Sequence, residues 1–212
     1  MIECGGVFLP DGETHLVDWM TRRNQWVDGR LTYQFHKLEA ALKYCTDGRT
    51  AVDVGAHVGL WSMHLVQRFD FVHAFEPIEA HRQCFARNVS AANVLLYPCA
   101  LGQQDGRVSI RTDPTSSGDS YVVQGDDVPV FPLDGFGLSD VDFIKLDCEG
   151  YELFALAGGV ETLERCRPVV CVEQKPGKAQ KYGLGETDAV KFLQRLGAKL
   201  RAEMSGDYIL TF

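Results

Sequence analysis

The run Thr50-Ala51-Val52-Asp53-Val54-Gly55-Ala56-His57-Val58-Gly59-Leu60 leaves few folds open. Its first half is short, apolar and β-branched, which suits a strand buried on both faces of a parallel sheet. The run then meets an acid and breaks into spaced glycines, where backbone can approach a ligand that a Cβ would strike. A strand turning through glycines into a helix is the opening of a βαβ unit. The acid precedes the first glycine in a DxGxxxG pattern, whereas the dinucleotide fingerprint GxGxxG sets its middle glycine against a pyrophosphate. The pattern therefore points away from an NAD-dependent oxidoreductase.

A nucleoside ligand without phosphate fits better. S-adenosyl-L-methionine carries a sulfonium, an ammonium and a carboxylate, so its site asks for an anionic side chain near the glycine loop, and Asp53 is placed to supply one. The next strand should end in a second acid that accepts hydrogen bonds from ribose hydroxyls. Phe71-Val72-His73-Ala74-Phe75-Glu76-Pro77 is such a run, ending in Glu76. A third, through Cys99, delivers Ala100 and Leu101, small and apolar enough to flank an adenine ring.

Asp53-Val54-Gly55-Ala56-His57-Val58-Gly59, Ala74-Phe75-Glu76-Pro77, Ala100-Leu101-Gly102 and Asp142-Phe143-Ile144-Lys145-Leu146-Asp147-Cys148-Glu149-Gly150-Tyr151-Glu152 follow one another along the chain. In that order they resemble the motifs of the FkbM-type S-adenosylmethionine-dependent methyltransferases, over roughly positions 50 to 175. His57 stands where the family often has Asn, and Cys148 where it often has Val. The resemblance implies a Rossmann-like class I methyltransferase sheet. It also implies a cofactor site at Asp53, Gly55, Ala56, His57, Gly59, Glu76, Pro77, Ala100 and Leu101. Asp147, at the tip of the fourth core strand, is the first choice for orienting or deprotonating an acceptor hydroxyl, with Glu149, Lys145 and His57 behind it. Lys145 lies inside an apolar strand and needs a carboxylate partner, for which Asp147, Glu149, Glu152 and Glu173 are candidates. These acids could alternatively bind a divalent ion, but the spacing demands none and no metal is assigned.

From Thr50 the pattern alternates: strand 51–54, helix about 58–68, strand 71–76, helix about 78–91, strand 94–99. That is doubly wound α/β. Residues 103–133 interrupt it with two short strand patterns around Thr115-Ser116-Ser117-Gly118-Asp119-Ser120, read as an inserted hairpin whose tip either closes on the site or is a solvated loop. Strand 142–147, a helix broken at Gly158-Gly159, strand 168–173, a loop over 174–187 and helix 187–196 follow. A terminal antiparallel hairpin, 199–204 with 207–212, closes an otherwise parallel sheet. Residues 1–49 carry two helical stripes, Leu16/Trp19/Met20 and Phe35/Leu38/Ala41/Leu42. These helices cover the sheet or form a lid, and in a lid Trp26, Tyr33, Gln34 and His36 would face the substrate. Residues 50–212 form the methyltransferase domain.

A chain of 212 residues fits one such unit. No apolar stretch is long enough to span a membrane and no secretion signal opens the chain, so a cytoplasmic, membrane-free protein is expected. Seven cysteines without zinc spacing read as reduced thiols. A formal charge of -8 gives no basic footprint for nucleic acid and favours O-methylation of a small-molecule or carbohydrate acceptor. A non-catalytic methyltransferase-like interaction module is the alternative from another class. The oligomeric state is not legible.

Overall fold

The computed structural model describes residues 1–113 and 115–212. The chain opens with a hairpin, β1 (Ile2–Cys4) and β2 (Val7–Leu9), followed by helix α1 (His15–Arg23), which buries Leu16 and Met20. A second small hairpin, β3 (Trp26–Val27) and β4 (Arg30–Leu31), leads to α2 (Phe35–Leu42). Neither hairpin was expected; strands of two or three residues carry no readable period. The alternation then begins with β5 (Thr50–Val54), α3 (Ser62–Leu65), β6 (Phe71–Phe75), α4 (Glu79–Asn88) and β7 (Val94–Tyr97).

The helix expected over 58–68 is only one turn long. Gly59 at φ +88° bends the chain before it, and short-range bonds such as Arg68 N to Leu65 O (2.9 Å) make turns after it. The third core strand likewise stops at Tyr97, before Pro98, which has no N–H to donate to a ladder. Ala100 and Leu101 form a separate strand, β8 (Ala100–Leu101), in a different sheet. There β8 and β9 (Gly106–Arg111) flank β10 (Tyr121–Phe131), so the inserted hairpin exists with a longer second strand that is irregular between Val123 and Val128.

The chain returns to the core through β11 (Val141–Leu146), then α5 (Glu152–Ala157) and α6 (Val160–Cys166), parted at Gly158-Gly159 as expected. β12 (Val169–Glu173), α7 (Asp188–Arg195), β13 (Lys199–Met204) and β14 (Asp207–Thr211) complete it. A turn of 3-10 helix, Ala179–Tyr182, lies within the segment read as loop.

Seven strands form the central sheet in the order β13-β14-β12-β11-β5-β6-β7. The five strands β12, β11, β5, β6 and β7 pair in parallel, and β14 joins β12 and β13 antiparallel. Alternation along the strands sends Ala51, Phe143 and Val169 to one face, with α1 and α2, and Val52, Ile144 and Val170 to the other, with α7. From β5 the chain winds first toward β7 and then back toward β12, so the strand order reverses between β5 and β11, and a crevice opens there beyond the carboxyl ends. Helix α2 is fastened to the sheet by an ion pair between Lys37 and Asp207, both buried. All seven cysteines are free thiols. Among the described residues no helix is long and apolar enough to cross a membrane.

Candidate active site

A cavity of about 270 Å³ occupies that crevice. The glycine loop enters it because Gly55 N and Ala56 N both donate to Phe75 O, at 3.1 and 3.0 Å, folding the chain over the end of β6. The glycines answer a different contact from the one expected. At Gly55, φ +72°, a Cβ would lie 2.0 Å from the Asp147 carbonyl oxygen; at Gly59 it would lie 2.6 Å from Val89 Cγ2 and 3.0 Å from the Phe85 ring. Both make room for the protein itself, a neighbouring strand end and helix α4. Gly55 still lines the cavity; Gly59 does not.

Asp53 is also displaced from its expected place. It sits in register between Lys145 on β11 and Ala74 on β6, pointing into the sheet's α2 face with no exposure, and it is absent from the cavity wall. Its Oδ2 accepts from Ser62 Oγ at 2.6 Å and its Oδ1 lies 3.3 Å from Lys145 Nζ. The partner of Lys145 is therefore Asp53, not Asp147, Glu149, Glu152 or Glu173. Lys145 also donates to Gly55 O at 2.7 Å. Burial works against its charge, but Asp53 and then Asp147 outweigh it and raise the ammonium's pKa. Lys145 also lines the cavity, so this cation stands at the cavity wall with its partner Asp53 beneath it.

Glu76 directly follows β6 at the cavity wall, 4% exposed. Its carboxylate accepts from His57 N (2.9 Å), Ile78 N (2.8 Å) and His81 Nδ1 (3.2 Å), so it joins the glycine loop to the start of α4. His57 lies beside it at φ +54°, its ring against that of His81. Burial, His81 and Lys145 keep His57 neutral, its pKa well below the ordinary value. Ala56, Pro77, Ala100 and Leu101 all line the cavity.

The opposite wall is acidic. Asp147 and Glu149 follow β11, Glu173 ends β12, and one oxygen from each lies within 4.8 Å of the others. Glu149 stands at φ +57°, costly for a side chain with a Cβ. The turn is held by Glu152, which accepts from Cys148 N and Gly150 N at 2.9 Å each and from Gln174 Nε2 at 3.1 Å. Glu152 is thus the acceptor that shapes the turn after β11. Lys178 pairs with Glu149, and Lys175 with Glu173. Burial first, and then Asp147, push the carboxyls of Glu149 and Glu173 upward. The Asp147 carboxylate has no hydrogen-bond or ion-pair partner among the described residues. The donor set could hold a divalent ion, but two of its three carboxylates already have ammonium partners.

Of the N-terminal residues considered for a lid, Tyr33 lines the cavity, its ring centroid 4.6 Å from that of Trp19 and tilted by 57° to it; Trp26, Gln34 and His36 do not. Burial and then Asp147 raise the Tyr33 hydroxyl's pKa, so it stays protonated beside the acids. Sequence reasoning missed Glu13, His81, Lys175 and Lys178. None lies in a strand-end motif; His81, Lys175 and Lys178 reach the cavity from a helix start or a loop, and Glu13 sits behind it, bonded to Ser117 of the cavity wall.

A doubly wound sheet closed by an antiparallel strand pair, with a glycine loop and an acid at successive strand ends, is the class I S-adenosylmethionine-dependent methyltransferase architecture. The methyltransferase FkbM domain matches residues 53–200, and the chain belongs to that family. Among solved structures it is similar to the methyltransferase FkbM from Methylobacillus flagellatus KT, with a TM-score of 0.58 and 21% identity, covering 78% of this chain and 44% of that one. The chain thus spans less than half of that relative's length. SMU.1697c from Streptococcus mutans, solved in complex with SAH, gives a TM-score of 0.53 at 14% identity over 86% of this chain and 99% of that one. No curated protein matches the sequence.

Proposed function

We propose that the chain methylates a hydroxyl of a small-molecule or carbohydrate acceptor, with Asp147 orienting or deprotonating it. S-adenosyl-L-methionine, when bound, supplies a methyl group already activated on a sulfonium. The residues fit that ligand. Glu76 offers carboxylate oxygens for ribose hydroxyls, the backbone of Gly55, Ala56 and His57 curves around the amino-acid end, and Ala100 and Leu101 form a small apolar wall for adenine. Asp53 and Gly59 act from behind, one by fixing Lys145 and Ser62 and the other by letting α4 close up.

The observation that carries the reading is the state of the acids. Glu149 and Glu173 are held by lysines, so among the described residues Asp147 is the one of the three carboxylates without a partner, at the end of the fourth strand and in the cavity wall. Methyl transfer needs its reactants held in line, and a hydroxyl acceptor needs a base within hydrogen-bond reach. Tyr33 and the lysine-paired acids give the rest of the wall groups that hydrogen-bond to hydroxyls. Incubating the protein with S-adenosylmethionine and a panel of sugars and hydroxylated metabolites should yield one product heavier by a methylene, with SAH released. Calorimetric heat with NAD and none with S-adenosylmethionine would overturn the reading.

Glu76→Ala should weaken SAH binding by about 1.5–3 kcal/mol, the value of hydrogen bonds to a charged acceptor, with the fold retained. The check is calorimetry alongside thermal unfolding. A collapsed melting temperature with an unchanged dissociation constant would make Glu76 a structural residue.

A further inference from the structure

Residues 116–120, at the tip of the β9–β10 hairpin, form a strap along one wall of the cavity. It is tied down at several points. Thr14 N and His15 N both donate to Thr115 O, at 3.1 and 3.2 Å, and Lys178 Nζ reaches Asp119 at 2.8 Å while also pairing with Glu149. The innermost tie is Glu13, only 2% exposed. Its Oε1 accepts from Leu16 N at 2.8 Å, and its Oε2 accepts from Ser117 N at 2.6 Å and from Ser117 Oγ. Ser117, 4% exposed, is in turn 2.8 Å from His57 Nε2 in the glycine loop.

The hydrogen-bond inventory fixes the direction of this chain. A serine hydroxyl has one proton to donate and an ionised carboxylate only accepts, so Ser117 donates to Glu13 and its oxygen must accept from His57 Nε2–H. A neutral imidazole holding its proton on Nε2 leaves Nδ1 as an acceptor. Nδ1 has no partner among the described residues. His57 is thereby held in a left-handed conformation that is expensive for a side chain with a Cβ, by a backbone bond to Glu76 and a ring bond to Ser117.

We propose that Glu13 and Ser117 are positioning residues for the cofactor end of this site: through His57 they latch the strap to the glycine loop and fix the imidazole with its proton on Nε2. The inference rests on the placement of S-adenosylmethionine in this cavity. The latch ties the strap to the glycine loop on one side of the cavity and leaves Nδ1 as the acceptor of the His57 ring.

Ser117→Ala and Glu13→Gln, made in the full chain, test it. SAH release is followed by stopped-flow displacement, and the His57 ring nitrogens by two-bond proton–nitrogen correlation. SAH should leave both variants about tenfold faster, the value of one good hydrogen bond, and the His57 proton should no longer be confined to Nε2. Ser117→Thr, which keeps the hydroxyl, should restore slow release. An unchanged release rate in both variants overturns the latch, as does faster release with the His57 tautomer unaltered, which would mark a merely structural tie. Glu76→Ala separates the two readings. If it weakens SAH binding while the latch variants behave as wild type, the cofactor placement stands and the latch falls; if Glu76→Ala has no effect, the placement itself is wrong.

Discussion

Lys145→Met should lower folding stability by about 3–5 kcal/mol, the usual cost of removing one partner from a buried ion pair. Asp53 has no solvent exposure, and its Oδ1 has no neutralising neighbour other than the Lys145 ammonium at 3.3 Å among the described residues. Methionine fills much of the lysine's space, so the loss is electrostatic rather than a cavity. The double variant Lys145→Met/Asp53→Asn removes both charges and keeps an acceptor for Ser62 Oγ. It should regain most of the lost stability, because replacing a buried pair outright is often close to neutral. Urea unfolding of the wild type and both variants reads the effect directly. Equal losses in single and double variants would show that Lys145 matters through its bond to Gly55 O, not through Asp53. That second bond also links stability to function: the cation that stabilises the sheet holds the glycine loop's carbonyl at 2.7 Å.

This pair marks the boundary of what the sequence discloses. The core strands, their succession along the chain and the acid after β6 were legible because each rests on local signals: a β-branched run, a glycine break, a terminal carboxylate. That Lys145 required a carboxylate was legible too, from burial alone. Its identity was not, because Asp53 and Lys145 meet only through the register of β5 against β11, which no local pattern states. The glycines show the same limit. Gly55 and Gly59 were read correctly as positions that exclude a Cβ, but the atoms that exclude it belong to Asp147, Val89 and Phe85, brought there by tertiary packing. Glu13 gives no sequence signal at all. It lies in a turn-rich opening, and its partner Ser117 is in an inserted loop whose closure on the site was one of two open readings. The N-terminal segment likewise divides by residue rather than as a whole: Lys37 fastens α2 to the sheet, Tyr33 lines the cavity, and Glu13 bonds Ser117 from behind the cavity wall.

Asp147→Asn should lower methyl transfer by about 10²-fold or more, the range for loss of a positioned general base, and leave SAH affinity within a few-fold of wild type. The sequence left open that Lys145 holds Asp147 in an ion pair, which would have made the substitution a folding lesion. With Lys145 committed to Asp53 and Gly55 O, that obstacle is gone. The Asp147 backbone N–H donates to Val54 O at 3.1 Å, a bond the asparagine keeps, and the side chain has no partner to lose among the described residues. The substitution is also nearly isosteric, so the melting temperature should hold. Glu149→Gln provides the contrast. It breaks the pair with Lys178, frees that lysine from one of its two carboxylates, and should act mainly through the strap and the turn after β11, with a smaller effect on the chemical step. Single-turnover transfer, SAH calorimetry and thermal unfolding on both variants distinguish the roles. A folded Asp147→Asn protein that binds SAH and methylates its acceptor at the wild-type rate would remove Asp147 from the chemistry. If Glu149→Gln then showed the large loss, the base would be the lysine-paired Glu149, with Lys178 tuning it.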